Sequence, residues 1–127
     1  MAELTRINYP QLGQVKAPYV HAVKHNGTLY VSGLTAFGTA AQKQGIVEQA
    51  EAIFSQFKLI AAAESVSLAS LIKVTIFVTS LDELDGLRTV LFRNFGECLP
   101  ASSLVQVSQL FSPDLIIEIE AIFALDA

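Results

Sequence analysis

The chain has 127 residues, of which 52% are hydrophobic and only 16% are charged, and its net charge is -4. This length fits one domain with a real core, and the charged fraction lies below the roughly 25% of average soluble domains. No cluster of lysine and arginine could contact a phosphate backbone, which argues against a nucleic-acid-binding protein. No apolar run reaches the roughly 20 residues that span a bilayer, so we expect an apolar surface buried between subunits instead.

The N-terminal sequence and the cysteine content predict a cytoplasmic protein. Residues Met1–Arg6 lack the basic and apolar regions of a secretory signal peptide. Cys98 is the only cysteine and cannot form an internal disulfide, which fits a reducing compartment. We interpret Cys98 as an inert loop thiol, because neither histidine is placed to pair with it.

In chain order, the first predicted elements are two strands joined by a tight turn. The runs Tyr19–Lys24 and Thr28–Leu34 flank Asn26-Gly27, a sequence typical of β-hairpins. A loop rich in glycine, alanine and glutamine follows over Phe37–Gly45. Ile46–Glu64 is then predicted as a helix, because eight apolar residues fall on one stripe at about 100° per residue. These residues are Ile46, Val47, Ala50, Ile53, Phe54, Phe57, Ile60 and Ala61.

The second half of the chain alternates between strands and a helix. The β-rich run Leu71–Thr79 precedes Ser80–Glu83, a capping-box pattern that predicts the start of a helix reaching about Phe95. Two further strands, Ala101–Val107 and Leu115–Ala124, are separated by a turn containing a proline. The order β-β-α-β-α-β-β predicts a single α+β domain over residues 1–127, with two helices packed on one face of a mixed sheet.

Alternation along the strands predicts one apolar and one mixed sheet face. The apolar face suits the two helices. The mixed face carries charges such as Lys73 and Glu118 among large apolar residues, so it fits neither plain solvent nor a dry core. We interpret it as a subunit interface with a wet cleft. The apolar set is Ile72, Val74, Ile76 and Val78, with Leu115, Ile117, Ile119, Ala121 and Phe123 in the last strand.

Seven short segments, in order along almost the whole chain, match those of one known family. They are Ala17–Val20, Leu29–Gly33, Val74–Val78, Asn94–Glu97, Pro100-Ala101, Val105–Val107 and Glu118–Ile122. Each segment is weakly specific alone, but the ordered set is fairly specific. On these segments the chain resembles the RidA family, also called the YjgF or reactive-intermediate deaminase family, whose fold is chorismate-mutase-like.

The resemblance implies a homotrimer with a barrel-like core of sheets and three intersubunit clefts that bind small metabolites. It implies hydrolysis of reactive enamines and imines to 2-oxo acids and ammonia, without a cofactor. In the family an arginine grips the substrate carboxylate, a tyrosine lines the cleft, and a glutamate positions or activates water. Tyr19 matches the tyrosine, and Glu118 matches the catalytic glutamate. Ser32 and Gly33 match the strand end beside the ligand.

Ser102 falls where the family carries its substrate-binding arginine, directly after Pro100-Ala101. An arginine–carboxylate fork comprises two charge-assisted hydrogen bonds of about 1.5–3 kcal/mol each. A serine hydroxyl supplies one weak donor without charge. The serine therefore predicts weak or absent hydrolysis of amino-acid-derived imines.

Arg88 offers an alternative anchor for an anionic substrate. It falls about 40° from Leu84, inside the predicted apolar stripe of the second helix, where an arginine needs a partner or a ligand. The resemblance places Arg88 near the cleft, at a position that is often asparagine in relatives. Two structural interpretations stay open, and together we favour them over the anchor: an interface ion pair with a residue such as Glu118 or Glu120, and a side chain that extends out of the stripe to solvent.

The remaining candidate residues have structural as well as functional interpretations. Glu118 and Glu120 have two possible roles. They either form structural hydrogen bonds with backbone amides or with Lys73, or they position water. Tyr19 is more consistent with a packed aromatic side chain than with a site residue, unless the family match holds. The two histidines are expected at the surface or in turns, and their spacing predicts no metal site.

Three functions remain in competition. The first is a trimer that binds a small metabolite and has lost the standard deaminase anchor. The second is an active imine deaminase that uses Arg88 as its anion anchor. The third is the ribonuclease or translation-inhibitor role under which some relatives were first named, against which the acidic charge argues.

Overall fold

The structure, a computed structural model, describes residues 3–125 as six strands and two α-helices. The predicted α+β architecture is confirmed, with one additional short strand near the N-terminus. Neither helix in this range is long and apolar enough to cross a membrane. The strands are β1 (Thr5–Ile7), β2 (Ala22–His25), β3 (Thr28–Leu34), β4 (Leu71–Val78), β5 (Ala101–Gln106) and β6 (Ile117–Ala124), and the helices are α1 (Ile46–Ala63) and α2 (Leu84–Phe95).

The six strands form one mixed sheet in the order β1-β2-β3-β6-β4-β5. Neighbouring strands are antiparallel except β4 and β5, which are parallel and connected through α2. A parallel pair needs such a crossover, because its connection must return along the length of the strand. β5 is the last strand in this order and lies at an edge of the sheet.

Both helices cover one face of the sheet, as predicted, and bury a continuous core. Phe54 and Phe57 of α1 contact each other with ring centroids 5.9 Å apart. Phe54 also packs edge-on against Phe95 of α2, and Phe57 contacts Phe123 of β6. These rings tie both helices to the sheet, and each fully buried ring contributes about 1.5–3 kcal/mol.

The apolar stripe of α1 is confirmed, but one polar residue joins it. Gln49 is fully buried. Its amide nitrogen lies within hydrogen-bond distance of the Gln42, Gln44 and Asp114 carbonyls, at 3.0, 3.1 and 2.8 Å. Its carbonyl oxygen accepts from the Ile116 amide at 3.0 Å. A buried amide satisfied in this way attaches α1 to the loop before it and to the loop before β6.

The predicted capping box at the start of α2 is wrong. The helix begins at Leu84, and its N-cap, Glu83, makes no side-chain cap hydrogen bond. The Ser80 hydroxyl accepts instead from the Asp82 amide at 3.1 Å. Short hydroxyl side chains favour such local turns because they reach the backbone two residues further on.

A register shift in β4 changes which residues this strand buries at its start. Ile72, predicted on the apolar face, is 46% exposed, and Leu71 is buried in its place. The pairing with β6 shifts between Leu71 and Lys73, so the alternation of faces is inverted there. The rest of β4 and the apolar face of β6 follow the prediction.

β2 and β3 form the predicted hairpin. Asn26 and Gly27 have φ angles of 52° and 73°. Positive φ at both central residues is what a type I′ turn requires, and this turn matches the twist of paired strands. β2 begins at Ala22 rather than at Tyr19, so Tyr19 lies in the connection between β1 and β2.

The sheet face opposite the helices is open in the single chain. Every residue of β5 is exposed. Tyr30 of β3 is 46% exposed, and Val105 of β5, which pairs with Phe77 on this face, is 42% exposed. This is the mixed face predicted from the sequence, and its apolar side chains meet solvent unless another molecule covers them.

Candidate functional site

The pairing of β3 with β6 contains an irregularity that positions several predicted site residues. The register shifts between Val31 and Leu34, which leaves two residues of β3 opposite one residue of β6. Ser32 and Gly33 occupy this bulge. A bulge bends its strand and redirects the side chains around it, and bulges are common beside functional sites.

Gly33 allows the Glu118 side chain to lie directly against the backbone of β3. A β-carbon at position 33 would overlap Glu118 Oε2 and come within 2.9 Å of Cδ. Glycine is needed here for close approach rather than for an unusual φ. A larger residue would displace the carboxylate.

Ser32 connects the segment that carries Tyr19 to the sheet. Its hydroxyl donates to the Val20 carbonyl at 2.7 Å, and its amide donates to the His21 carbonyl at 2.9 Å. Tyr19, which is 54% exposed, is thereby held beside β3. The structure thus places Tyr19 at an accessible position rather than in the core.

Four of the predicted site residues line one cleft, which we name the Glu118 cleft. Tyr19, Ser32, Gly33 and Glu118 line it together with Phe111, and its volume is about 270 Å³. Phe111 precedes β6 in a loop without periodic pattern. No sequence pattern therefore indicated that Phe111 lines a cleft.

The environment of Glu118 suits proton exchange. Burial raises the pKa of the Glu118 carboxyl, and the negative charge of Glu120 raises it further. The two ion pairs found within residues 3–125 involve other side chains. A carboxyl with a raised pKa exchanges a proton closer to neutral pH, which suits a group that positions or activates water.

Arg88 and Ser102 line a different cleft, which we name the Arg88 cleft. Its volume is about 460 Å³, and Leu91, Phe92 and Leu99 form part of its apolar wall. Glu118 is not among its lining residues. Within one chain, the structure therefore divides the predicted site residues between two clefts.

Arg88 is not inside the buried stripe of α2, and that prediction is wrong. The buried residues of the helix are Leu87, Val90 and Phe95, while Leu84 is only half-buried. The stripe is thus centred near Leu87, which leaves Arg88 exposed. Neither ion pair within residues 3–125 involves Arg88, so a pairing with Glu118 or Glu120 does not form within one chain, and the predicted pair across an interface stays a prediction.

Lys73 and Glu120 lie near each other on the open sheet face but do not pair. Both line a small cavity with Tyr30. The Lys73 ammonium donates to the Ser103 hydroxyl at 3.0 Å and to the Val74 carbonyl at 3.3 Å. Lys73 therefore joins β4 to β5 rather than serving as a partner for Glu118.

His21 is buried, contrary to the expectation of a surface histidine. Its Nδ1 accepts from the Tyr9 amide at 2.8 Å, and its own amide donates to the Asn8 side chain at 3.0 Å. Burial lowers the pKa of the imidazole, which favours its neutral form. A histidine next to a turn gives no sequence signal for this burial, because it depends on the N-terminal segment folding over it.

A larger cleft of about 510 Å³ adjoins the Glu118 cleft, and we name it the aromatic cleft. It shares Tyr19, Ser32, Gly33 and Phe111 with the Glu118 cleft and adds Phe37 from a second loop. Sequence reasoning missed both phenylalanines because loop residues carry no periodicity. The remaining lining includes Lys16, His21 and Gln56.

Within residues 3–125, no three histidine, cysteine, aspartate or glutamate side chains come together closely enough to hold a metal ion. Cys98 is exposed in the connection between α2 and β5. It lines neither the Glu118 cleft nor the Arg88 cleft.

Residues 11–125 match the protein-family model described as Endoribonuclease L-PSP. The crystal structure of RidA from an Antarctic Psychrobacter species superposes with a TM-score of 0.80 at 32% identity, covering 88% of this chain and 92% of that one. The chain belongs to the RidA family. The family assignment made from the ordered segments is thus confirmed.

Two curated RidA relatives cover nearly the whole chain. A mitochondrial protein of Saccharomyces cerevisiae, MMF1, is 32% identical over 123 residues, which are 94% of this chain and 84% of the relative. A protein of Dermatophagoides farinae named 2-iminobutanoate/2-iminopropanoate deaminase is 26% identical over 123 residues, which are 94% and 95% of the two chains. Some members of the family thus carry the name of an imine deaminase.

Proposed function

We propose that this RidA-family protein is a homotrimer that binds a small metabolite in intersubunit clefts. We further propose that it does not efficiently hydrolyse 2-iminobutanoate or 2-aminoacrylate. The proposal rests on Ser102, which follows Pro100-Ala101 at the place where the resemblance to the family implies an arginine. The proposal invokes no cofactor.

The chemistry of imine hydrolysis explains why this one position matters. 2-Aminoacrylate first tautomerises to the imine, its methylene carbon gaining a proton while the nitrogen loses one. Water then adds to the carbon of the C=N bond, ammonia leaves, and a 2-oxo acid remains. Glu118 is the group suited to hold or deprotonate that water, but the substrate carboxylate also needs a cation. Losing two charge-assisted hydrogen bonds of about 1.5–3 kcal/mol each corresponds to roughly 10²–10⁴ in affinity or rate.

The open sheet face supports the assembly. Tyr30 of β3 and Val105 of the edge strand β5 are 46% and 42% exposed on this face. An uncovered apolar sheet face is a common site of subunit contact. Because the Glu118 cleft and the Arg88 cleft are separate in one chain, a site that uses both needs a second subunit.

A coupled assay tests the loss of activity. A pyridoxal-phosphate dehydratase generates 2-aminoacrylate or 2-iminobutanoate, and release of the 2-oxo acid is followed with the wild type and with Ser102→Arg. We expect the wild type to remain near the uncatalysed rate and Ser102→Arg to exceed it at least tenfold. Ser55→Arg, which adds the same charge at an exposed position of α1 outside both clefts, is the matched control.

Two results would contradict the proposal. An efficient wild type would show that another residue binds the substrate carboxylate. An inactive Ser102→Arg variant that still assembles as a trimer would show that the missing arginine is not the reason for the inactivity.

Arg88 supports a second candidate function, an active deaminase with a relocated anion anchor. The supporting observation is that Arg88 lines the same cleft as Ser102. If Arg88 is the anchor, the wild type is active and Arg88→Ala loses that activity while remaining a trimer. Arg93→Ala is the control, because Arg93 lies on the same helix but pairs with Glu51 at a distance from the cleft lining.

The description of the family model raises a ribonuclease as a third function. The net charge of -4 argues against it, because backbone binding to RNA depends on clustered cations. We expect no RNA binding even at low salt, as measured by gel shift.

The cytoplasmic location also remains a proposal, since a yeast relative is named mitochondrial.

A further inference from the structure

Three exposed aromatic side chains surround the aromatic cleft. Tyr19, Phe37 and Phe111 are 54%, 57% and 68% exposed. The rings of Phe37 and Phe111 contact each other with centroids 5.2 Å apart and planes inclined at 57°. Large rings exposed together around a cavity of this size are typical of sites that bind a small apolar or flat group.

The two loops that carry the phenylalanines are fastened to each other. Gln42 accepts from the Gly38 amide at 2.7 Å and donates to the Asp114 carboxylate at 3.2 Å. Buried Gln49 binds carbonyls in both loops. The rings are therefore held in place by hydrogen bonds, which lowers the entropy lost when a ligand binds.

The polar lining of the aromatic cleft favours an anion. Lys16 is its one lining residue with a full charge, and no aspartate or glutamate lines it. His21 adds a donor, because Nδ1 accepts from the Tyr9 amide and the neutral ring then carries its hydrogen on Nε2. Ser32 and Gln56 already donate to backbone carbonyls.

We propose that the aromatic cleft is a subsite for an aromatic monocarboxylate, with the carboxylate at Lys16 and the ring against Phe37 and Phe111. The inference rests on the proposed function in one respect, because this cleft shares Tyr19 and Ser32 with the Glu118 cleft. It gives the metabolite a chemical class and places its anionic group away from Ser102. The residues that line the aromatic cleft form the part of the proposed intersubunit cleft that one chain supplies by itself, so the ligand can bind whether or not the chain forms a trimer.

A titration followed by amide NMR tests the subsite with three related probes. These are 3-phenylpropanoate, 3-phenylpropan-1-ol, which lacks the charge, and butanoate, which lacks the ring. We expect 3-phenylpropanoate to bind at least fivefold more tightly than either of the others. The shifted amides should belong to residues 14–19, 32–38 and 110–112 rather than to the Arg88 cleft.

Variants of the protein identify which side chains bind the carboxylate and the ring of the probe. Lys16→Gln should remove the preference for the acid over the alcohol, and Phe111→Ala should weaken binding of both by roughly fivefold. Phe111→Leu keeps an apolar side chain and serves as a second variant in case Phe111→Ala does not fold. Lys58→Gln is the control for the loss of charge, because Lys58 lies outside the cleft. The inference is overturned if the wild type does not prefer 3-phenylpropanoate, if Lys16→Gln keeps the preference, or if the shifts map to Arg88 and Ser102.

Ultracentrifugation of the same samples separates this inference from the proposed function. A monomer that binds 3-phenylpropanoate through Lys16 would contradict the trimer and leave the subsite intact. A trimer that does not bind 3-phenylpropanoate would contradict the subsite and leave the proposed trimer intact.

Discussion

The side chain of Glu118 occupies the space that a side chain at position 33 would need, so glycine is required there. The carboxylate lies where any β-carbon at position 33 would be, although the backbone of β3 there has no conformation that only glycine can adopt. The constraint is thus steric, and its cause is a side chain from another strand. A glycine of this kind fixes where an acid lies rather than how the chain turns.

We expect Gly33→Ala to move Glu118 while leaving the fold nearly as stable. The overlapping atoms belong to a flexible side chain that can rotate away, so the free energy of unfolding should fall by less than about 1 kcal/mol. The displaced carboxyl gains solvent, so its pKa should fall toward the ordinary value. Carbon NMR of the carboxyl and urea unfolding measure the two effects, and a large loss of stability would contradict this explanation.

Glu118 also responds to Glu120, its neighbour on the same strand face. Burial is the larger cause of the raised pKa, and repulsion from Glu120 is the smaller one. We therefore expect Glu120→Gln to lower the pKa of Glu118 without restoring the ordinary value. An NMR titration of the Glu118 carboxyl tests this, and an unchanged midpoint would show that Glu120 does not act on it.

The sign of the pH effect on stability follows from the same shift. The folded chain holds the Glu118 proton more tightly than the unfolded chain does. This group therefore stabilises the fold below the unfolded pKa of about 4.3, and the contribution is lost as pH rises through the higher folded pKa. Glu118→Gln should remove that part of the pH dependence in urea unfolding measured from about pH 4 to 7.

At the scale of elements, a single amide organises the loops around the candidate site. Gln49 joins α1 to the loop that carries Phe37 and to the loop that carries Phe111. Loops without periodic secondary structure depend on such contacts for a fixed shape. The position of both rings therefore depends on a residue in the core rather than on the loops themselves.

Gln49→Ala should be strongly destabilising. It leaves a cavity and removes partners from buried backbone groups, which together cost about 2–4 kcal/mol. Urea unfolding measures the loss, and exposed Gln44→Ala is the control that should change stability by no more than about 0.5 kcal/mol. A variant that unfolds like the wild type would show that water replaces the amide at little cost.

At the scale of the whole molecule, the sheet is covered on one face only. Its open face and the exposed edge strand β5 account for several of the large apolar residues in contact with solvent. In the trimer that we propose, other copies of the chain would cover them, which would account for the small number of charges in so apolar a sequence. The helices would then face outward.

A charge placed on the open side should prevent assembly. We expect Val105→Glu on β5 to yield a monomer, because a carboxylate buried at an interface without a partner is costly. Leu59→Glu on α1 is the matched control, since Leu59 is exposed to a similar degree on the helical side. Sedimentation velocity distinguishes the two, and a trimeric Val105→Glu variant would exclude β5 from the interface.

Periodic and turn signals in the sequence determined most of the architecture. The stripe of α1, the alternation in β6 and the Asn26-Gly27 turn each follow from local geometry, and each is confirmed. The ordered segments determined the family. Errors arose where a local pattern had to compete with tertiary contacts, as at Ser80, whose hydroxyl binds a turn amide instead of capping the helix.

Only the tertiary structure decided how the candidate residues are grouped. It brought Tyr19, Gly33 and Glu118 to one cleft, separated them from Arg88, and added Phe111 from a loop. These groupings depend on a bulge in β3 and on hydrogen bonds between residues far apart in sequence. Local periodicity carries no information about such contacts, because it reports which face of its own element a residue occupies and not what that face meets.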